Sequence, residues 1–266
     1  MQEIFGLLRR DEKVKILMVA FAVLFGLAGK AHAAHPLITD DAGTQGKGKA
    51  QVEFIGEYDH EKKDGVTTDS VVAPTIPVLS YGMTDAVDIV LGIPYEHVRT
   101  SDSQSAATAD GISDASVELK WRFYENNGLS FALKPGITLP TGNDEKGLGA
   151  GRATSHLYFI TTKEVKPWTF HINLGYIRNE NKVNEKIDIW HASLAGVLDV
   201  LKNLKAVANI GTESDRDKAS KTDPGFILGG LIYSISENLD FDIGIKKGFN
   251  NHGTDYSIPA GITWKY

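Results

Sequence analysis

The chain ends Tyr256-Ser257-Ile258-Pro259-Ala260-Gly261-Ile262-Thr263-Trp264-Lys265-Tyr266. Tyr256, Ile258, Ala260, Ile262, Trp264 and Tyr266 share one parity. Ser257, Gly261, Thr263 and Lys265 fall on the other. A period of two is strand geometry, because successive side chains of a strand point to opposite faces. A strand that runs to the last residue and stops on an aromatic ring closes either a soluble sheet or a membrane barrel. The rest of the chain decides between them.

The same alternation recurs through the sequence. Ala115, Val117, Leu119, Trp121 and Phe123 alternate with Ser116, Glu118, Lys120 and Arg122. Trp168, Phe170, Ile172, Leu174 and Tyr176 alternate with Thr169, His171, Asn173 and Gly175. Leu239, Phe241, Ile243 and Ile245 alternate with Asp240, Asp242, Gly244 and Lys246. With the less regular stretches, about twelve strands are predicted and no amphipathic helix of useful length. The stretch 196–207 passes for a helix over a few residues, but it carries a turn.

The connections alternate as well. Short turns such as those at 83–86, 125–128 and 202–203 are interleaved with long polar segments at 60–69, 99–112, 141–152, 179–186, 214–223 and 248–255. Short turns on one side and long loops on the other, over an even number of strands, is the pattern of an outer-membrane barrel. Trp121, Phe123, Trp168, Trp264 and Tyr266 fall near the short-turn ends, and Tyr58, Tyr95, Tyr176, Trp190 and Tyr256 near the long-loop ends. Two aromatic belts mark two membrane interfaces. The predicted fold is therefore all-β: a transmembrane, antiparallel, up-and-down barrel over residues 51–266. In such a barrel the last strand must pair with the first, since no sheet edge can face lipid. The aromatic end at Tyr266 resembles the signal read by the barrel-assembly machinery, which is an expected partner along with outer-membrane lipids.

The N-terminus reads as a leader. Arg9, Arg10, Lys13 and Lys15 precede an uncharged apolar run, 16–29, and Ala31-His32-Ala33 supplies a small-residue cleavage site. This is a secretory signal peptide over 1–33, too short in its apolar part to span a bilayer. Cleavage after Ala33 or Ala34 leaves a segment, 34–50, at the periplasmic mouth or inside the lumen. Removing 1–33 takes five of 28 basic and three of 34 acidic residues, leaving 23 and 31, a net charge of −8. That excludes nucleic acid as a partner. The absence of cysteine excludes disulfides, thiolate metal sites and thiol catalysis.

Two stretches carry a resemblance. The stretch from His35-Pro36-Leu37-Ile38-Thr39-Asp40-Asp41 to Glu53 resembles the mature start of one bacterial group. Leu139 to Arg152, with its L-P-T-G and G-L-G-A-G, resembles that group's mid-chain loop. The group is the outer-membrane transporter family named for the meta-pathway of phenol degradation. The resemblance implies passage of small, often aromatic or apolar, compounds across the outer membrane. It carries no set of substrate-contacting residues.

Other chemistry is weighed against plainer readings. Gly147, Gly149 and Gly151 lack the strand-before, helix-after context of a dinucleotide site, and a strand comes after them instead. His191 and Ser193 share a face, as in a barrel lipase or deacylase, but that face points inward and no orienting partner is visible. His35, Asp40 and Asp41 read as an ordered segment at the barrel mouth in preference to metal ligands, and Asn143, Asp144 and Glu145 as a solvated loop. No cofactor, metal site or catalytic residue is assigned. The candidate site is the lumen wall: Glu118, Lys120, Arg122, Lys134, His171, Asp188, Lys205, Glu213, Asp240, Asp242 and Lys246. Buried charges of both signs are expected to pair across the bore. Pro74, Pro77, Pro94, Pro135, Pro140 and Pro259 each remove a ladder donor. Those on the second and third strands are expected to kink the wall and give an apolar solute a sideways exit. The function expected is passive uptake of a small-molecule solute. Its alternatives are a barrel lipase, a structural barrel without transport and a soluble periplasmic β domain.

Overall fold

The computed structural model describes residues 35–63, 65–249 and 254–266, with side chains there except at 63 and 73–76. The leader expected over 1–33 lies outside the described residues.

Among the described residues, thirteen strands form one closed sheet: β1 (Ala50–Lys63), β2 (Val66–Gly82), β3 (Val87–Ser101), β4 (Ala106–Ile112), β5 (Ala115–Asn126), β6 (Leu129–Leu139), β7 (Thr154–Val165), β8 (Trp168–Arg178), β9 (Asp188–Leu201), β10 (Leu204–Glu213), β11 (Gly225–Ser236), β12 (Leu239–Gly248) and β13 (Tyr256–Lys265). β3 pairs with β4 along its outer half, Tyr95–Ser101, and with β5 along its inner half, Val87–Gly92. β4 and β5 are thus two segments of one stave, broken at 113–114. The barrel has twelve staves, all antiparallel.

Closure accounts for the pattern of the last residues. β13 pairs with β1 from Gln51↔Lys265 to His60↔Tyr256. Tyr266 N–H donates to the Ala50 carbonyl at 2.9 Å, and Ala50 N–H to the Tyr266 carbonyl at 2.8 Å. The C-terminal aromatic residue is the last rung of the seam that removes the sheet edge.

The apolar parity faces outward. Phe54, Leu119, Trp121, Phe170, Ile172, Leu174, Trp190, Leu194, Ile243 and Ile262 are all exposed on the outer wall. Large apolar residues left open around the whole circumference make sense only against hydrocarbon. The protein is an outer-membrane barrel.

The predicted helix-like stretch resolves into the end of β9, the turn at 202–203 and the start of β10. Two of the expected long loops are instead tall hairpins. β1 and β2 run on to a turn at 64–65, and β3 and β4 to one at 102–105. The polar residues there, such as Thr67, Thr68 and Thr100, continue the ladder because β-branched side chains suit extended backbone whether or not lipid surrounds them.

Candidate functional site

The bore is filled by the chain's own start. Residues 35–49 run inside the barrel, and each part is held by a different set of staves. Leu37 is buried against Ala195, Val197, Val207, Leu228 and Ile232, an apolar patch on the inner face of β9–β11. The backbone N–H groups of Ile38 and Thr39 both donate to Asn209 Oδ1, at 2.8 and 3.0 Å. Ala42 N–H donates to Thr162 Oγ1 at 2.8 Å, and Ala42 packs with Ala132 and Ile160. Gln45 N–H donates to Asp88 Oδ2 at 2.9 Å, and Thr44 Oγ1 to the Asp85 carbonyl at 2.8 Å. The wall residues thus satisfy a segment that has no regular hydrogen bonding of its own.

Asp40 is the electrostatic centre. Lys120 Nζ lies 2.8 Å and Lys134 Nζ 3.2 Å from its carboxylate. Lys134 continues to Glu118 at 2.9 Å, and Glu118 to His156 Nε2 at 2.7 Å. Asn173, with its amide oriented to satisfy both groups, accepts from Asp40 N–H at 2.7 Å and donates to the Asp40 carbonyl at 2.9 Å. Burial alone raises the Asp40 pKa, but the two ammonium groups outweigh it and hold the carboxyl well below the usual carboxylate range.

A second polar chain sits beside Thr39. Asn209 Nδ2 donates to Thr39 Oγ1 at 2.7 Å, and Thr39 Oγ1 donates to Ser193 Oγ at 2.7 Å. An amide N–H can only donate, so this sets the direction of the chain. The Ser193 proton is left for His191 Nε2 at 2.9 Å, and His191 Nδ1 faces Glu213 Oε2 at 3.3 Å. Glu213 is the orienting partner that the sequence does not reveal, because it depends on the pairing Glu213↔His191 between β10 and β9. The Ser193 oxygen is occupied by Thr39, so the arrangement anchors the segment.

The remaining lumen candidates fall into place individually. Lys246 pairs with Glu57 at 2.6 Å, and Asp240 with Lys265 at 2.5 Å. Asp242 meets His35. His171 Nδ1 lies 2.9 Å from Thr162 Oγ1, the acceptor of Ala42 N–H. Arg122 reaches the periplasmic rim, where its Nη2 donates to the Asp85 carbonyl at 2.9 Å. Lys205 lies 3.9 Å from Asp199 near the same end. Asp188 is the exception. Its side chain is 57% exposed and bonds Arg178 and Tyr176 on the outside. It shares parity with Trp190, and at the outer tip of β9 the outward face has left the hydrocarbon and tolerates charge.

The prolines behave unequally. Pro74 stands directly opposite Pro94, and the β2–β3 register shifts on both sides of Ile76. The β1–β2 register shifts between Glu53 and Glu57. Next along the wall, Ser113 N–H donates to the Pro94 carbonyl at 2.9 Å, where the β4–β5 stave breaks. The irregularities form a seam across four staves. Pro135 disturbs nothing comparable, since β6 and β7 pair without a shift from Leu129 to Thr138. Pro140 lies just beyond the end of β6.

The fold is that of solved outer-membrane barrels. An outer membrane channel of the COG4313 group from Pseudomonas putida F1 superposes with a TM-score of 0.66 at 14% identity, covering 85% of this chain and 98% of that one. The NanC porin gives 0.53 at 9% identity over 81% and 100% of the two chains. The translocator domain of the autotransporter NalP from Neisseria meningitidis gives 0.53 at 11% identity over 83% and 89%. No curated protein matches the chain by sequence. The family model for the MetA-pathway of phenol degradation matches residues 35–266, which is the lumen segment and the whole barrel together. The chain belongs to that family.

Proposed function

We propose that the protein is a passive outer-membrane channel for small molecules, closed at rest by its own N-terminal segment. One observation carries this. The bore is occluded by a strand-free stretch, 35–49, held through hydrogen bonds and ion pairs, and the wall's own side chains do not fill it. A barrel built only for structure has no need of a removable filler, since a narrow barrel is filled by interior side chains. The similarity to solved channels and porins supports the same role. Aromatic or apolar solutes suit the segment's departure, which uncovers the apolar patch around Val197 and Leu228.

The test is conductance in planar bilayers of the mature chain and of a variant lacking residues 36–43. The variant is expected to give discrete steps several-fold larger than those of the parent. A variant that folds, as shown by its migration in gels with and without boiling, yet stays as silent as the parent would sink the reading.

A further inference from the structure

The start of the lumen segment has a purpose-built niche. Pro36 is fully buried, and it lies against glycines of neighbouring strands. A Cβ on Gly230 would come within 2.9 Å of Pro36, and one on Gly244 within 3.3 Å. One on Gly261 would sit 2.8 Å from both the Asp242 carboxylate and the His35 ring. Side chains at these positions would fill the space that residues 35 and 36 occupy.

Asp242 forms the floor of the niche, with none of its side chain exposed. Its Oδ1 contacts His35 Nδ1. Its Oδ2 is buried and has no hydrogen-bond partner. Leaving a buried polar atom unmatched is costly, and more so when it carries charge. Glu53, a second carboxylate, lies within electrostatic range of His35. The niche therefore calls for a further cation with several donors.

The sequence holds a source for it. Ala31-His32-Ala33 ends immediately before the niche, and Cα atoms of adjacent residues are only about 3.8 Å apart. We propose that signal-peptide cleavage creates this cation: the α-ammonium of the mature N-terminus, on residue 34 or 35, pairs with Asp242 and locks the segment in the bore. Water adds across the peptide bond after Ala33 or Ala34. The leader departs with the new carboxylate, and the mature chain keeps the nitrogen, which is protonated at neutral pH. The uncut precursor has a neutral amide there with a single N–H, and a leader that must leave through the bore. Export and closure of the channel are then a single event. The inference rests on the segment being a gate.

The test reads the lock without solute flux. The first residue of the purified mature chain is determined, and residue 34 or 35 is expected. Amide exchange at Thr39, Ala42 and Gln45 is then compared in three proteins: the mature chain, Asp242→Asn, and a chain retaining Gly-Ser ahead of Ala34 after processing. Both variants are expected to lose protection by about tenfold or more, the scale of one charged hydrogen bond. The extended chain keeps every barrel residue, so it reports even where Asp242→Asn does not assemble. A mature chain starting anywhere else, or an extended chain with undiminished protection, overturns the proposal. Silence in bilayers would count against the channel and leave the lock standing.

Discussion

Asp40 shows what one residue does here. It neutralises two lysines that would otherwise face each other inside the barrel. Breaking a buried pair leaves an uncompensated charge, at a cost of about 3–5 kcal/mol. Lys134 keeps Glu118, so Lys120 bears most of that cost. Asp40→Asn is therefore expected to undock the segment and raise the open fraction in single-channel records, with no change in the barrel's resistance to denaturing detergent. The pH response comes from the sign of the shift. A carboxyl held below its unfolded pKa of about 3.9 contributes fully above that value, and the contribution fades only as pH falls towards the depressed one. Conductance of the parent is expected to stay flat between about pH 8 and pH 5. Opening within that range would assign the lock to other groups. Ser193 is read the same way. Ser193→Ala is expected to weaken protection of the Thr39 amide and to leave hydrolysis of acyl esters at the background rate. A loss of esterase activity in that variant would revive the lipase. The sequence exposes the polar face of β5 and β12 because alternation alone defines it. It cannot expose Glu213 as the partner of His191, since register between strands is a tertiary property. Polarity alone places Asp188 inward, whereas its parity with Trp190 points outside, and parity is the better guide at a strand tip.

At the scale of the element, the weakest stretch of wall lies where β1, β2, β3 and the β4–β5 stave lose register together. A missing ladder bond facing lipid is expensive, so a run of them on neighbouring staves is kept for a reason. We take that reason to be sideways release of apolar solutes. The sequence shows the prolines but not their alignment. Pro74 opposite Pro94 becomes visible only once β2 and β3 are paired. A staple tests the idea, and the absence of cysteine makes it clean. Val72 and Glu96 are register partners on one side of the seam, and Leu79 and Leu91 on the other. Disulfides at both pairs are expected to block uptake of an apolar solute into vesicles at least tenfold while leaving a small polar solute unaffected. Equal uptake of both, before and after reduction, would remove the lateral path and leave only the axial one.

At the scale of the whole molecule, the two ends of the barrel meet at one rung, and that rung separates two roles for the last residue. Ala50 and Tyr266 exchange both backbone hydrogen bonds, while the Tyr266 ring sits at the periplasmic interface beside the parity of Trp264 and Ile262. The rung contributes through the backbone, which almost any residue supplies. An assembly signal depends on the ring. Tyr266→Ala keeps the rung and removes the ring, whereas ending the chain at Lys265 removes both. If the ring acts only as an interface anchor, the two variants refold in detergent and lipid nearly as well as the parent, and both reach the membrane in cells. If it is read by the assembly machinery, Tyr266→Ala is expected to refold in vitro with a parental yield, yet to accumulate in cells at a level lower by about tenfold. The shortened chain would then show the same cellular defect with some additional loss in vitro, because the seam ends one rung early and Ala50 loses both of its partners there. A parental cellular level for Tyr266→Ala would assign the aromatic end to the seam and the membrane interface alone.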